Sequence, residues 1–309
     1  MKKQLLLAAS LLMASITTEA QISDTARILV HYKFTHIRDT TDRLHAYTEN
    51  MVLFVGKSAS AYKSYDGILA DAQFKKDYAV QSASSPDGRV RIDRRHVGSF
   101  SEYYQFPNKQ KLFITDQLMV NRYLIESQMP TIEWKISSDT ATFSSLHCQK
   151  AVCNFKGRSY TVWFCPDLPV RTGPWKLNGL PGVIVDAHDS KNEVIFKFDG
   201  VENAIPSPPK RQPSGSSNSS GQDLPPILQG LDDDLNLIEP PVRAIKTTQR
   251  EFDKLQETMK KDPNAFAQAI MAGQRADIQG DRPKPDAIRV KRGPGRTGPV
   301  INNPIEIIQ

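Results

Sequence analysis

Apolar and polar residues alternate through 26–38. Ile28, Val30, Tyr32 and Phe34 fall on one side of an extended chain, and His31 and Lys33 on the other. A period of two is that of a half-buried β-strand. The run Met51-Val52-Leu53-Phe54-Val55 reads as a second strand, and 66–78 as a short helix starting at Asp66. Strand-like segments then recur at 110–115, 119–126, 131–137, 140–155, 159–165, 182–188 and 193–201. Their connections are too short for parallel crossovers, so the pattern predicts an antiparallel meander. The expected fold is mainly β. It is a twisted antiparallel sheet or an incompletely closed barrel over 21–203, with one packed helix and further helices towards the C-terminus.

The two ends follow other rules. Lys2 and Lys3, the apolar run Leu5 to Ile16 and Thr18-Glu19-Ala20 before Gln21 have the layout of a signal peptide cleaved after Ala20. That run is too short to cross a hydrocarbon core of ~30 Å as a helix. The expectation is a periplasmic or secreted protein that spans no membrane once residues 1–20 are removed. Segment 204–226 is dominated by Pro and Ser and continues to about 245 as a linker or long loop insertion. Asp232, Asp233 and Asp234 lack the spacing of a calcium loop and read as a solvated turn.

Two short helices are expected over 246–273. Thr248 and Glu251 form a capping box, with Phe252, Leu255 and Met259 on one face, and Asp262-Pro263 starts the second helix. The remainder, 274–309, is a basic tail in which Asn302–Ile308 alternates and is expected to return as a terminal strand.

Composition adds bounds. The chain of 309 residues is 39% hydrophobic, enough to fill a core, and carries a formal charge of +6. The excess gathers at Arg282, Lys284, Arg289, Lys291, Arg292 and Arg296, with no aromatic interleaved to stack on bases. No nucleic-acid partner is expected.

Three cysteines fall in or beside one hairpin, Cys148 to Cys165. A two-residue turn at Lys156-Gly157 pairs residues whose numbers add to 313. Cys148 then faces Cys165 at a non-hydrogen-bonded position, where Cα atoms are ~4.5 Å apart. A Cys148–Cys165 disulfide is expected, with Cys153 on the other parity and free. Three reduced thiols, or a longer turn pairing Cys153 with Cys165, are the competing readings. Spacing argues against a structural zinc site.

Residues 173–186 run Gly-Pro-Trp-Lys-Leu-Asn-Gly-Leu-Pro-Gly-Val-Ile-Val-Asp. Pro181 and a Gly182 with positive φ would suit a type II turn. Val183 to Val185 then start a strand pairing with 193–199. The stretch Gly179-Leu180-Pro181-Gly182-Val183-Ile184, preceded by Gly173-Pro174, resembles the GLPGLI family of secreted bacterial proteins. Val183 stands where the family has Leu. The resemblance extends to Cys148-x-Lys150-Ala151, Gly157-Arg158, Trp163 and Asp186/Asp189. It also takes in Tyr32-x-Phe34, residues 51–65, Ile132-x-Trp134 and Asn302-Asn303-Pro304-Ile305-Glu306. Residues 204–245 look like an expansion, and Cys153 and Cys165 are less typical of the family. The resemblance implies an exported envelope protein and brings no catalytic residue.

Chemistry is sparse. There is no G-x-S-x-G elbow and no H-E-x-x-H helix. Gly56-Lys57-Ser58 has the end of a phosphate loop without its first Gly. Asp186 and His188 share a strand face. Trp134, Trp163 and Trp175 are candidates to line an apolar cavity, and Arg158 to bind an anionic group. No catalytic, cofactor or metal residue is assigned. The leading expectation is a non-enzymatic binding or accessory protein for an apolar ligand or an outer-membrane partner. The alternatives are a periplasmic hydrolase with a dispersed His/Asp site and a metal-binding protein.

Overall fold

The computed structural model describes residues 23–85, 97–205, 234–276 and 300–307. The expected signal peptide, most of the Pro/Ser-rich segment and the basic stretch 280–298 lie outside them.

The elements in chain order are β1 (Asp24–Thr25), β2 (Ile28–His36), β3 (Tyr47–Val55), β4 (Ser60–Ser64), α1 (Tyr65–Ser84), β5 (Glu102–Phe106), β6 (Lys111–Leu118) and β7 (Asn121–Gln128). There follow β8 (Lys135–Phe143), β9 (Leu146–Phe155), β10 (Arg158–Cys165), β11 (Val183–Asp189), β12 (Val194–Asn203), β13 (Leu237–Ile238), β14 (Ile245–Thr247), α2 (Gln249–Lys261) and α3 (Pro263–Ala276). Twelve strands form one sheet in the order β14-β7-β6-β5-β4-β3-β2-β12-β11-β10-β9-β8. Its two ends, β14 and β8, do not meet, so the sheet stays open. Neighbours are antiparallel except β14 beside β7, which is parallel. The fold is thus the mainly β sheet with a few helices that the alternation predicts.

Sequence separation and sheet position part company at β2. It pairs with β3 on one side and with β12 on the other, Phe34 opposite both Glu49 and Phe196. The first and last long strands therefore lie at the middle of the sheet.

The central hairpin has the expected register, Phe155 opposite Arg158 and Gln149 opposite Phe164. Lys156 (φ 53°) and Gly157 (φ 76°) both take the left-handed conformation that a tight two-residue turn demands. Cys148 and Cys165 form a disulfide with Cα atoms 4.1 Å apart, and Cys153 is free and buried. Burial pushes the Cys153 thiol up to about 12, so it stays protonated.

Each sheet face is covered differently. On one, Val52, Phe54, Ala61, Tyr104, Phe113 and Leu124 pack with Tyr65 and Ile68 of α1. The Ser64 side chain caps α1 by accepting from Gly67 N at 2.9 Å. On the other face, α2 and α3 cover β6 and β7, with Phe252 and Phe266 packed among Leu112, Ile114, Tyr123 and Ile125. The Thr248–Glu251 capping box forms as expected. The rest of that face, from β2–β4 to β9–β12, is covered by the loop between Cys165 and Val183.

Three local expectations change. The strands expected at 131–137 and 140–155 form instead as β8 and β9, divided by a turn at Ser144-Ser145. Residues 300–307 contain no strand. They lie across strand ends as a strap, with Asn302 and Asn303 N–H groups donating to Arg38 O and Ile307 N to Lys156 O. The segment pairs with single backbone groups rather than a strand edge. Gly182 is also absent from the positive-φ residues, and its N–H donates to Leu180 O at 2.8 Å. No type II turn forms there. Glycine is needed because a Cβ would lie 2.3 Å from Cys165 O, against the disulfide-bearing strand.

Candidate functional site

The loop that carries the Gly-Leu-Pro-Gly motif is pinned to the sheet by a buried polar clamp. Gln105 of β5 donates from Nε2 to Gly173 O, Trp175 O and Leu177 O at 3.2, 3.0 and 3.3 Å. Its Oε1 accepts from Thr172 Oγ1 at 2.9 Å, and Thr172 in turn bonds Ser60 of β4. One side chain thereby satisfies three carbonyls of an irregular buried segment, which would otherwise be costly to bury. The clamp turns Trp175 (φ 56°) inward over the sheet.

Trp175 is one wall of a cavity of about 130 Å³. Directly paired residues of adjacent strands project from the same face, and the register supplies the other walls. They include Phe34 and His36 of β2, Tyr47, Glu49 and Met51 of β3, Tyr62 of β4, Tyr103 of β5 and Phe196 of β12. Ser99 and Ser101, Arg38 and Ile305 complete the lining. Phe196 stacks on Trp175 with ring centroids 6.4 Å apart and on Phe34 at 5.1 Å, and Tyr62 meets it edge-on at 6.2 Å.

Polar groups are set into this aromatic lining. Glu49 is 4% exposed. It accepts from Tyr47 Oη at 2.6 Å and from Ser99 N at 2.6 Å. Arg38 lies over the Tyr47 ring, 3.4 Å from its centroid. Tyr62 Oη is buried with no hydrogen-bond partner. Trp175 Nε1 also finds no acceptor at hydrogen-bond geometry, the Tyr103 hydroxyl being the group beside it. Burial raises the Tyr62 and Tyr103 hydroxyls far above the usual phenol range, reinforced by Tyr32 and Glu49 near the first and Asp116 near the second. The phenols stay protonated and serve as neutral donors and acceptors.

Beside the cavity the strap is held by buried charge. Arg158 donates from Nη1 to Asp189 Oδ2 at 2.6 Å and to Glu193 Oε2 at 3.3 Å. From Nη2 it reaches Asn303 Oδ1 (2.6 Å) and Pro304 O (2.7 Å), and from Nε it reaches Ile305 O (3.1 Å). Asn303 Nδ2 donates to Ile37 O and Glu193 Oε2, and its carbonyl meets His36 Nε2 at 2.8 Å. Lys156 and Lys176 both pair with Glu306. This network sets Ile305 against the cavity.

Of the four residues proposed from sequence to line a ligand site, Trp175 alone borders this cavity. Trp134 is half-buried and donates its indole N–H to Asn178 O at 2.8 Å, holding the motif loop from outside. Trp163 packs on Phe143 at 5.9 Å. Arg158 is spent on Asp189, Glu193 and the strap. Of the residues that carry the Gly-Leu-Pro-Gly pattern, Gly173, Pro174, Leu180, Gly182, Val183 and Ile184 are buried, and Gly179 and Pro181 are exposed. Those from Gly173 to Gly182 build the loop, Val183 and Ile184 begin β11, and none of them lines the cavity. Sequence reasoning missed Tyr47, Glu49, Tyr62 and Tyr103. The period-two run Tyr47-x-Glu49-x-Met51 was the available signal.

Other candidate chemistry is already engaged. The amides after Gly56-Lys57 bind the chain's own Asp24, whose Oδ2 accepts from Ser58 N at 2.6 Å and Ala59 N at 3.1 Å. Burial raises the Asp24 pKa, but these bonds outweigh it and the net shift is downward. Asp186 accepts from Phe198 N and pairs with Lys197. His31, His45 and His147 meet Glu202, Asp42 and Asp167 at separate places. No group of three His, Cys, Asp or Glu side chains among the described residues could hold a metal ion.

No protein-family model and no curated protein matches the chain. Two solved structures of PNGF-II, in C2 and P21 crystal forms, are similar at TM-scores of 0.45 and 0.42, each with 12% identity. The similarity covers 74% and 60% of this chain but only 32% and 30% of those chains, so the chain spans about a third of their length. A likeness this distant carries no argument about the site.

Proposed function

We propose that the chain is an exported cell-envelope protein of the GLPGLI type that binds a small apolar ligand, or an apolar side chain of an outer-membrane partner, in the aromatic cavity. The observation that carries this reading is the cavity itself, about 130 Å³ and walled by Phe34, Tyr47, Tyr62, Tyr103, Trp175 and Phe196. Its size is that of one small ring or branched alkyl group, close to the ~150 Å³ cavity that accommodates benzene. A whole acyl chain does not fit.

Export is supported by the signal-like 1–20 and by the Cys148–Cys165 disulfide, a bond that persists in oxidising compartments. No helix among the described residues is long and apolar enough to cross a membrane.

Binding is tested by titrating the purified chain with benzene, indole and cyclohexane while following the unfolding midpoint. A ligand at a hundred times its Kd should stabilise the folded state by about 2.7 kcal/mol. Unchanged midpoints with all three would overturn the binding reading. N-terminal sequencing of the envelope fraction tests export, with Gln21 as the expected first residue.

A further inference from the structure

The cavity demands more of its occupant than apolarity. Resting on the binding role above, we infer that its ligand is a small quaternary ammonium compound carrying an oxygen acceptor close to the cationic nitrogen. Three features converge on that chemistry.

The first is charge. Glu49 is buried, and among the described residues no Lys, Arg or His makes an ion pair with it; Arg38, also in the lining, is engaged with Tyr47, which donates to Glu49. Two hydrogen bonds, from Tyr47 and Ser99, partly offset the cost of burying a carboxylate, and a cation in the cavity would offset more.

The second is the wall. Six aromatic rings line the space; Arg38 takes one Tyr47 face and Phe196 is stacked on Phe34 and Trp175, and the ring faces left open attract a cation most strongly where water is excluded. A primary ammonium would turn its three N–H groups to Glu49 and the hydroxyls of the lining and away from the ring faces. A quaternary ammonium has no N–H and presents methyl groups to the rings.

The third is the pair of buried donors. Tyr62 Oη has no partner at 3% residue exposure, and Trp175 Nε1, at 2%, has no acceptor in hydrogen-bond geometry. Indole N–H can only donate. An oxygen next to the onium group gives these donors an acceptor.

The other charged and titratable side chains of the lining are Arg38 and His36. Arg38 already lies on the Tyr47 ring and favours a ligand whose far end is an oxygen rather than a second cation. Burial lowers the His36 pKa and favours its neutral ring.

The test is calorimetric titration of the full chain with choline, tetramethylammonium and 3,3-dimethylbutan-1-ol. The last is the neutral shape-match of choline, with carbon in place of nitrogen. Choline should bind at least about tenfold more tightly than the neutral alcohol, the scale of a desolvated cation–π and carboxylate contact. Tetramethylammonium, which lacks the oxygen, should be weaker than choline. In Glu49→Gln, choline should lose its advantage while the neutral alcohol still binds.

Equal binding of choline and the neutral alcohol would overturn the cation assignment and leave the apolar reading standing. Equal binding of choline and tetramethylammonium would overturn the oxygen requirement. No binding by any of the three overturns the inference, and the benzene, indole and cyclohexane titrations then decide whether the binding role falls too. The comparison among ligands on the unaltered chain decides the matter even if Glu49→Gln does not fold.

Discussion

One face of the sheet carries two kinds of cover. Over β6 and β7 the cover is a pair of amphipathic helices, attached through Phe252, Phe266 and the partly buried Leu255, Met259 and Ile270. Over β2–β4 and β9–β12 it is an irregular loop and a C-terminal strap, attached through Gln105, Arg158, Asn303 and Glu306. The helical cover satisfies its own backbone and needs only apolar contact. The irregular cover has backbone groups that its own chain cannot satisfy, so buried polar side chains must do so. Apolar contact tolerates local adjustment, whereas hydrogen-bond geometry fixes atoms in place. The described cavity with the aromatic lining lies beneath the polar-clamped cover, which is the one that holds Trp175 and Ile305 in defined positions.

Breaking the polar cover should have the largest effect. Arg158→Ala leaves Asp189 buried without its cation and Glu193 with Arg43 as its remaining cation, and truncating one partner of a buried pair costs about 3–5 kcal/mol. Denaturant unfolding should show that loss, and hydrogen exchange should show strap and β10–β12 amides deprotected together. Phe252→Ala should cost about 3 kcal/mol. Its deprotection should stay within 249–276 and β6–β7, because no polar network ties the helices to the rest of the sheet among the described residues.

Acid should separate the two covers without mutation. Burial lowers the His36 pKa below its ordinary 6.5, so the folded chain binds fewer protons there than the unfolded chain. Stability therefore falls as pH drops through 6.5 towards the folded value. For Glu193, burial pushes the pKa up, but hydrogen bonds from Arg43, Arg158 and Asn303 win and the net shift is downward. Glu306 behaves likewise through Lys176 and Lys156. Their contributions are complete above 4.5 and are lost as pH falls through the lowered values. Exchange measured between pH 7 and pH 5 should loosen 300–307 and leave α2 and α3 protected. The smallest effect belongs to the helical cover. Thr248→Ala removes one half of the capping box and should cost about 1 kcal/mol, seen as fraying at the start of α2.

The sequence made the local parts of this picture legible and left the assembly hidden. Lys156-Gly157 sets a two-residue turn, and the turn alone sets the register that brings Cys148 to Cys165. The helix caps at Thr248 and Asp262 are equally local. β4 was missed because all five residues from Ser60 to Ser64 are buried, so no alternation marks it. β5 was missed because it is short.

The cavity was out of reach for a different reason. Its walls come from β2, β3, β4, β5, β12, the motif loop and the strap, and no local period reports that β2 and β12 are neighbours. Tryptophan content pointed to three residues, but Trp134 and Trp163 stabilise the motif loop and the β9–β10 hairpin from outside. The Leu-Pro-Gly sequence suggests a conformational need at Gly182, whereas its need is space against Cys165 O.

The central claim is that the space under Trp175 is a binding site. It is tested most directly by following the three indole N–H resonances, assigned by single Trp→Phe variants, during titration with choline. The account predicts that Trp175 alone shifts, because it lines the cavity with its N–H unpartnered while Trp134 is committed to Asn178 O and Trp163 packs on Phe143. A Trp175 signal that stays fixed with choline and with indole, or three signals that move alike, would contradict it.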